Sequence, residues 1–440
     1  MRDQFNISQS PATVQLSHKG TEQWAIRTVL PGLQKLAESG LRDFYALERA
    51  SKQLPKILHP RWSKHIEELK ATTARMLVAA DGSPASVQRV FIHLLKIFNE
   101  RWFIDMGLFL ARYPVRQGVI EGDSLWDRAR VAVHRIVQVR RHRFFETEIP
   151  VYFLECYPRK HPGFAGVFDG VQGLALVSLS AIRFELVQYR MACGLPLEPW
   201  EAQMIGALSA SDVMRQVFAC FAEKAVSLFP VPQRLFEAVL LRTLVEELRH
   251  AIDGFRIRAE LQRDCSPLEY YQRFGALKLA PQARSRSMWN DLEDFYYQDD
   301  LVALGKVTSE LSAQMTALAV GSDPRFVLAE WCWVVVCGLQ ELPDLGYLPP
   351  HAGAALLGAC LISEEMGLDL QPSEVDLLAS WLKIFDRLAD FGPERIRLAA
   401  KTCYAREFLL GEIDEPPFQR IDVNGALMGT QDLLKAKLMP

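Results

Sequence analysis

The sequence predicts an α+β protein that is predominantly helical, with a small core of one short β hairpin and one long helix between N- and C-terminal helical regions. Three observations support this fold class. Apolar residues recur at spacings of three and four over most of the chain, as amphipathic helices require. One segment near the middle has the glycines and β-prone residues of a hairpin. A hydrophobic content of 49% in 440 residues is enough to bury a large core.

The charge and the cysteines argue against several function classes. The formal net charge is −3, so bulk charge disfavours a general nucleic-acid or membrane-surface binder. The eight cysteines form no CxxC pair, which disfavours a zinc knuckle or a disulfide framework and predicts buried thiols. The N-terminus has no signal-peptide core, and no apolar run is long enough to span a membrane. We therefore expect a cytoplasmic protein without nucleic-acid or membrane partners.

Residues 1–143 are predicted to form the N-terminal helical region. After an irregular start, the pattern is helical from Thr21 onwards, and it is clearest in Val87–Phe98. Ser124–Arg143 is predicted as a further helix, because the basic residues at its end would lie in the last turn, where they favour the helix dipole.

Residues 144–322 are predicted to form the core. Residues 146–154 look extended, and Gly166–Leu179 is predicted to be a hairpin with Gly and Asp residues in its turn. No other segment gives a convincing strand signal. Helices resume at Ala181, and the longest uninterrupted helical pattern runs from about Gln233 to Arg263.

Helical patterns continue through the rest of the core and through the C-terminal region, residues 323–440, which ends in an irregular tail after Gly411. The predicted helices are Ser266–Phe274, Arg284–Val320, Pro324–Leu339, Ala352–Gly367, Ser373–Asp390 and Pro393–Leu410.

The long helix Gln233–Arg263 has one broad apolar face and an opposite side with charges of alternating sign. Those charged residues are Arg242, Glu246, Arg249, Asp253 and Arg256. Opposite charges three or four residues apart can pair, so one interpretation is a set of ion pairs that only stabilises the helix. The same geometry permits metal chemistry. Glu246 and His250 lie four apart on one face and could hold one ion, with Glu247 about 100° round the helix.

The segment Glu246-Glu247-Leu248-Arg249-His250 resembles the active-site helix of the zincin metallopeptidases, with Glu in place of the first His of HExxH. The hairpin Gly166–Ser180 precedes this helix, where zincins place the edge strand that pairs with an extended substrate. Thr308–Gln314 is similar to the segment that carries the third ligand in gluzincin-type enzymes. The resemblance implies a hydrolase with a peptide or protein substrate. The implied residues are Glu246, His250 and Glu310 as metal ligands, Glu247 as catalytic base and Asp253 as a support behind a ligand.

The Glu at position 246 leaves three functions open. The first is a metallohydrolase with an altered and impaired site. Its cofactor is Zn²⁺ or another divalent metal, and a site with several carboxylates and one His suits Mn²⁺ or Mg²⁺ better than a His-His-Glu site does. The second is a zincin-fold pseudoenzyme that binds no metal and acts as a binding or scaffold protein. The third is a ferritin-like di-iron protein that uses Glu247-x-x-His250, although the chain holds no second Glu-x-x-His.

Overall fold

The computed structural model of the chain describes residues 18–112, 131–144, 147–156, 165–170, 173–195, 221–262, 301–345, 348–368 and 377–408. These residues are mostly helical with one small mixed sheet, which confirms the α+β class at that level. The chain divides into two compact units, residues 1–136 with 155–158, and residues 137–154 with 159–440. The boundaries predicted after residues 143 and 322 stay predictions. None of the described helices is both long and apolar enough to cross a membrane.

Helices account for most of the described residues. The α-helices are α1 His18–Trp24, α2 Leu30–Glu38, α3 Tyr45–Arg49, α4 His59–Ala79, α5 Pro84–Phe98, α6 Leu179–Ala192, α7 Pro232–Leu261, α8 Leu301–Val320, α9 Pro324–Leu345, α10 Pro350–Glu365, α11 Leu377–Ala389 and α12 Pro393–Glu407. Residues 221–228 are also helical. Ala25–Val29 and Asn99–Phe103 are π-helical, and Ala50–Gln53, Lys56–Leu58 and Ile104–Met106 are 3₁₀-helical. The predicted helices are confirmed where they fall in described residues, except Ser124–Arg143. Ser266–Phe274 and the tail after Gly411 lie outside the described residues.

Five strands form a sheet in the order β1-β2-β3-β5-β4. They are β1 Leu108–Arg112, β2 Val131–Phe144, β3 Thr147–Cys156, β4 Gly166–Asp169 and β5 Leu174–Ser178. β1 pairs antiparallel with β2, β3 pairs in parallel with β5, and β4 pairs antiparallel with β5. In the last pair Gly166 lies opposite Val177. The predicted hairpin is therefore confirmed, and β4 is an outer strand of the sheet as far as the described residues show it.

The predicted helix Ser124–Arg143 is wrong in its described part, because Val131–Phe144 is strand β2. The expectation that only the middle of the chain holds strands is wrong as well, since β1 and β2 precede it. Val131 and Val133 are both buried, two residues apart, as on one face of a strand. Their β-branched side chains favour this extended backbone over a helix.

Aromatic side chains fill the core of the first unit. The Trp62 ring meets Trp24 edge-on at 5.1 Å between centroids and Trp102 at 4.9 Å. Such arrangements contribute beyond the area that they bury. Asn99 joins this core to the sheet, because its side chain donates to the Leu110 carbonyl at 3.0 Å and accepts from the Leu110 amide at 2.7 Å.

His65 makes the first unit acid-sensitive. It packs among the same rings, and burial, with a smaller contribution from Arg101, lowers its pKa to about 4. The unfolded chain then binds more protons than the folded one between about pH 6.5 and 4, so stability is lost as the pH falls through this range. The loss amounts to about 3 kcal/mol.

We expect His65→Leu to reduce the difference in the free energy of unfolding between pH 7 and pH 4.5, measured by urea titration. His134, whose pKa burial also lowers to about 4, keeps its own contribution in this variant. His59→Leu, on the same helix, is the control and should retain the wild-type difference. An unchanged difference in His65→Leu would contradict the prediction.

Helix α7 is the element around which the second unit packs. Pro232 stands in its first turn, where the missing amide hydrogen costs nothing, and Gln262 ends it in the left-handed conformation. Neighbours on several sides are α6, α8, β4 and β5. The charged side of the helix is therefore not a solvated surface, since Arg249 and Asp253 are both fully buried.

Helix α8 lies between α7 and the C-terminal helices. It packs against α7, α10 and α12, while α9 packs against α10. Because α8 contacts both α7 and α10, side chains from all three helices can meet on α8.

Candidate functional site

Helix α7 presents Glu246, Glu247 and His250 towards two different neighbours. Glu246 and His250, one turn apart, interact electrostatically with Glu310 of α8. Glu247 lies round the helix towards β4. The structure therefore brings together the three predicted ligands Glu246, His250 and Glu310, with the predicted base beside them. Their roles remain predictions.

His250 is held by two consecutive residues of α8. Its Nε2 atom lies 3.6 Å from Glu310 Oε2, and its Nδ1 atom lies 3.2 Å from Ser309 Oγ. With both ring nitrogens protonated, His250 donates through Nδ1 to Ser309 Oγ, and its Nε2–H faces the Glu310 carboxylate. A second hydrogen bond of this kind is the usual way in which proteins orient a metal-binding histidine.

His351, which was not among the residues predicted from the sequence, completes this cluster. It stands in the first turn of α10, and its Nδ1 atom lies 3.0 Å from the same Glu310 Oε2 atom. One signal in the sequence could have pointed to it: His351 is the first polar residue after Pro349-Pro350, at the start of an otherwise apolar helix.

The Glu310 carboxylate is stabilised by the two imidazoles. Burial would raise its pKa, but the charges and hydrogen bonds of His351 and His250 lower it well below the usual range. Burial lowers the pKa of His250, but Glu310, followed by Glu247 and Asp253, raises it to about 9. Glu310 also raises the pKa of His351 to about 9, although the ring is 65% exposed and water screens part of the attraction. Without a cation, the cluster is therefore held together by its own opposite charges.

Glu246 is a carboxylate under opposing influences. Burial raises its pKa, the Arg242 guanidinium opposes this, and the nearby Glu310 raises it further. Arg242 itself is buried and donates to both carboxylate oxygens of Glu185, at 3.2 and 3.3 Å, and to Glu330. The spacing of charges along the helix predicts that Arg242 pairs within its own helix, whereas these ion pairs run to α6 and α9.

Glu247 is the least satisfied acidic group near the site. The residue is 7% exposed, and its Oε2 atom has no hydrogen-bond partner in the described part of the chain. Burial raises its pKa to about 8, although the charge of His250 acts in the opposite direction. A carboxyl group with a pKa near the working pH can both accept and return a proton.

Strand β4 runs along α7 at the level of Glu247. A Cβ atom at Gly166 would lie 2.5 Å from Glu247 Cγ and Oε1 and 2.7 Å from Thr243 Cγ2. Further along, a Cβ atom at Gly254 would lie 2.2 Å from the Phe168 ring. The two glycines therefore let strand and helix approach closely, and the backbone of an outer strand lies directly beside the predicted base.

We expect Gly166→Ala to destabilise the protein by about 1–3 kcal/mol, because the added methyl group must displace the Glu247 side chain or the strand. Thermal or urea unfolding measures this loss. Gly392→Ala is the matched control. Gly392 has open space around the position of a Cβ atom, so its loss should stay under about 1 kcal/mol. Equal stability of the two variants would show that β4 does not press against Glu247.

Asp253 lies in a fully buried polar group one turn beyond His250. It accepts from Arg249 Nη2 at 2.7 Å and from Ser312 Oγ at 3.1 Å, and Arg249 Nε donates to Ser312 at 3.0 Å. The Arg249 guanidinium also lies over the Tyr404 ring, at 5.1 Å from its centroid. Arg249 and Asp253 thus form the i, i+4 ion pair that their spacing predicts. The predicted support of a ligand by Asp253 stays a prediction.

No group of three or more His, Cys, Asp or Glu side chains is arranged as a ready metal cage within the residues that the structure describes. The candidate donors are instead bonded to one another, as given above for His250, Glu310 and His351. Comparisons of the chain with protein-family models, with curated proteins and with solved structures found no match. A function therefore has to be inferred from the site itself.

Proposed function

We propose that the chain is a zincin-like metallohydrolase that acts on peptides, with an altered metal site formed by Glu246, His250 and Glu310. The observation that carries the proposal is the position of Glu247. This buried carboxyl group, which has an unpartnered oxygen atom, lies against an outer strand and interacts electrostatically with His250 and Glu310. A general base, a docking edge for an extended chain and a set of metal donors then meet at one point.

Two of the three proposed ligands lie at a separation that suits a divalent cation. Donor atoms around a tetrahedral ion lie about 3.3 Å apart when the bonds to the metal are about 2.0 Å long. The distance of 3.6 Å between His250 Nε2 and Glu310 Oε2 is close to that value, and Ser309 orients the ring. When bound, such an ion polarises a carbonyl group and lowers the pKa of water.

Proton transfer and substrate binding are assigned to residues of the chain. Glu247 would take a proton from the attacking water and pass it to the leaving amine, for which a pKa of about 8 is suitable. β4, as an outer strand, offers backbone groups to an extended peptide, which gives affinity without requiring particular side chains.

A second candidate, a zincin-fold binding or scaffold protein, is favoured by one observation. The charges of His250, Glu310 and His351 satisfy one another, so that the cluster is stable without a metal. The di-iron alternative has less support. The Arg242 guanidinium occupies the space between Glu185 and Glu330, and a positive charge among the acidic residues opposes a second cation.

The number and kind of metal ions bound per chain distinguish these three candidate functions. We expect the protein, purified without a tag, to carry one divalent metal per chain by elemental analysis and to lose it in His250→Ala. Added metal should raise the melting temperature of the metal-free wild type but not that of the variant. A chain that binds no metal and gains no stability from Zn²⁺, Mn²⁺ or Fe²⁺ would favour the scaffold protein, and two irons per chain would favour the di-iron protein.

Glu246→His is the companion variant, because it restores the HExxH pattern. The proposed hydrolase should bind metal with either residue at position 246. If metal binding and cleavage of a peptide library appear only in Glu246→His, the natural protein is the inactive form.

A further inference from the structure

We propose that His351 supplies the second imidazole ligand of the site, in place of the histidine that the motif lacks at position 246. This inference rests on the proposed function and adds to it a ligand from α10, outside the motif. The juxtaposition that carries it is the approach of two ring nitrogens to one oxygen atom. His250 Nε2 lies 3.6 Å and His351 Nδ1 lies 3.0 Å from Glu310 Oε2.

Each of these two distances is compatible with a pair of donors to one ion. Both bracket the separation of about 3.3 Å between donors in a tetrahedral site with short bonds to the metal. A cation bound by all three side chains would replace the contacts of the two imidazoles to Glu310 with bonds to the metal.

The position of His351 is fixed by packing between α8 and α10. The Gln314 side chain of α8 donates to the His351 carbonyl at 3.4 Å, so that one helix holds both Glu310 and the backbone of His351. Further along α10, a Cβ atom at Gly358 would lie 3.3 Å from Leu311 of α8 and 2.7 Å from the Trp331 ring of α9, so α10 packs closely against both helices. A rigid backbone is what a metal site needs in order to hold its ligands ready.

The second imidazole changes which metal the site should prefer. With one histidine among carboxylates, the donor set suits Mn²⁺ or Mg²⁺, whereas two imidazoles and a carboxylate form a set that binds Zn²⁺ in hydrolases. Glu246, which interacts electrostatically with His250 and Glu310, would add a further negative charge near the ion. With His351 as a ligand, we expect the site to bind Zn²⁺ more tightly than Mn²⁺ or Mg²⁺. The motif alone predicts the opposite preference.

The experiment measures Zn²⁺ affinity of the full chain, stripped of metal by a chelator and titrated in competition with a chromogenic chelator. His351→Ala is expected to lower the affinity by at least about 100-fold, since the loss of a ligand should exceed the 10–100-fold cost of losing a group behind a ligand. The melting temperature of the metal-free protein should change little, because the His351 ring is 65% exposed. His59→Ala, which removes a histidine from the first unit, should leave the affinity unchanged.

Two further variants separate a ligand from a residue that only pairs with Glu310. His351→Gln keeps a polar partner for Glu310 but is a poor zinc donor, so it should lose affinity as His351→Ala does. His351→Cys restores a zinc-binding side chain and should recover most of the affinity. In the cobalt-substituted protein, the visible absorption band should change in His351→Ala and not in His59→Ala.

The outcomes are distinguishable. If the wild type binds Zn²⁺ and both His351→Ala and His351→Gln bind it equally well, the role of His351 is overturned and the proposed function stands. If the wild type binds no divalent metal, both are overturned. A loss of affinity in His351→Gln with recovery in His351→Cys supports the inference even if His351→Ala fails to fold.

Discussion

Replacement of Glu247 by Gln is expected to reduce peptide hydrolysis by roughly 10²–10⁴-fold, the usual contribution of a general base. The amide has the shape of the carboxyl group but cannot accept and return the proton. Metal binding should be retained, because the proposed ligands are other residues. Glu260→Gln, the same chemical change at an exposed position of the same helix, is the matched control and should keep full activity. Retention of activity in Glu247→Gln would remove this residue from the mechanism.

The same variant should stabilise the metal-free protein. Burial raises the pKa of Glu247 from 4.5 to about 8, so the folded chain takes up a proton that the unfolded chain releases. The contribution of this group is fully present below about pH 4.5 and is lost as the pH rises through about 8, at about 1.4 kcal/mol per pH unit. Glu247→Gln removes this dependence, and we expect a gain of about 1–3 kcal/mol at pH 7.

Urea unfolding at pH 5, 7 and 8 measures the effect, with Glu260→Gln again as the control. The difference between Glu247→Gln and the wild type should grow with pH. A difference that is constant over this range would show that Glu247 is not a carboxyl group of raised pKa in the folded protein. If Glu247→Gln loses activity and gains stability, Glu247 serves catalysis at the expense of the stability of the folded protein.

Asp253→Ala is expected to destabilise the protein by about 3–5 kcal/mol, because it leaves the fully buried Arg249 charge without its carboxylate. Asp253 and Arg249 have no exposed surface, so water cannot replace the lost partner. The reduction in the free energy of unfolding should be seen in urea titration with or without metal.

The control for Asp253→Ala is a double variant that removes both members of the Arg249–Asp253 ion pair. The double variant Arg249→Met, Asp253→Leu should lose less stability than Asp253→Ala alone, because no unpaired charge remains in the core. If Asp253→Ala costs less than about 1 kcal/mol, the buried Arg249–Asp253 ion pair does not contribute the stability expected of it. If only the metal-loaded protein is weakened, Asp253 instead supports a ligand, as the motif implied.

Much of the fold follows from local patterns in the sequence. The hairpin Gly166–Leu179 and the helix Gln233–Arg263 could be predicted because turn glycines and a helical period are properties of neighbouring residues. Ser124–Arg143 failed because its basic end resembles the last turn of a helix. Its β-branched residues at a period of two are a weaker signal, and pairing with β1, which is distant in sequence, decides the outcome.

In the candidate site, too, local contacts could be predicted from the sequence and contacts between separate helices could not. Glu246, Glu247 and His250 could be predicted to lie together because helix geometry fixes residues one and four apart. The position of His351 could not be predicted in this way. Its approach to Glu310 depends on the packing of α8 against α10, and the spacing of residues within a motif carries no information about that packing. The ion-pair set on α7 was predicted as local pairing. Arg242 instead pairs with α6 and α9, because the helix is surrounded by others.

On the proposed function, the mutual neutralisation of His250, Glu310 and His351 has a consequence for how the site would obtain its metal. In many small metal proteins the cation is required for folding, so that an empty site means an unfolded chain. Here the apo cluster is held by its own ion pairs, so the chain can complete its folding first and be loaded afterwards. On the proposed function, a cell short of metal would accumulate a folded, inactive reserve, and supply of the cation, rather than synthesis of new chains, would set when activity begins.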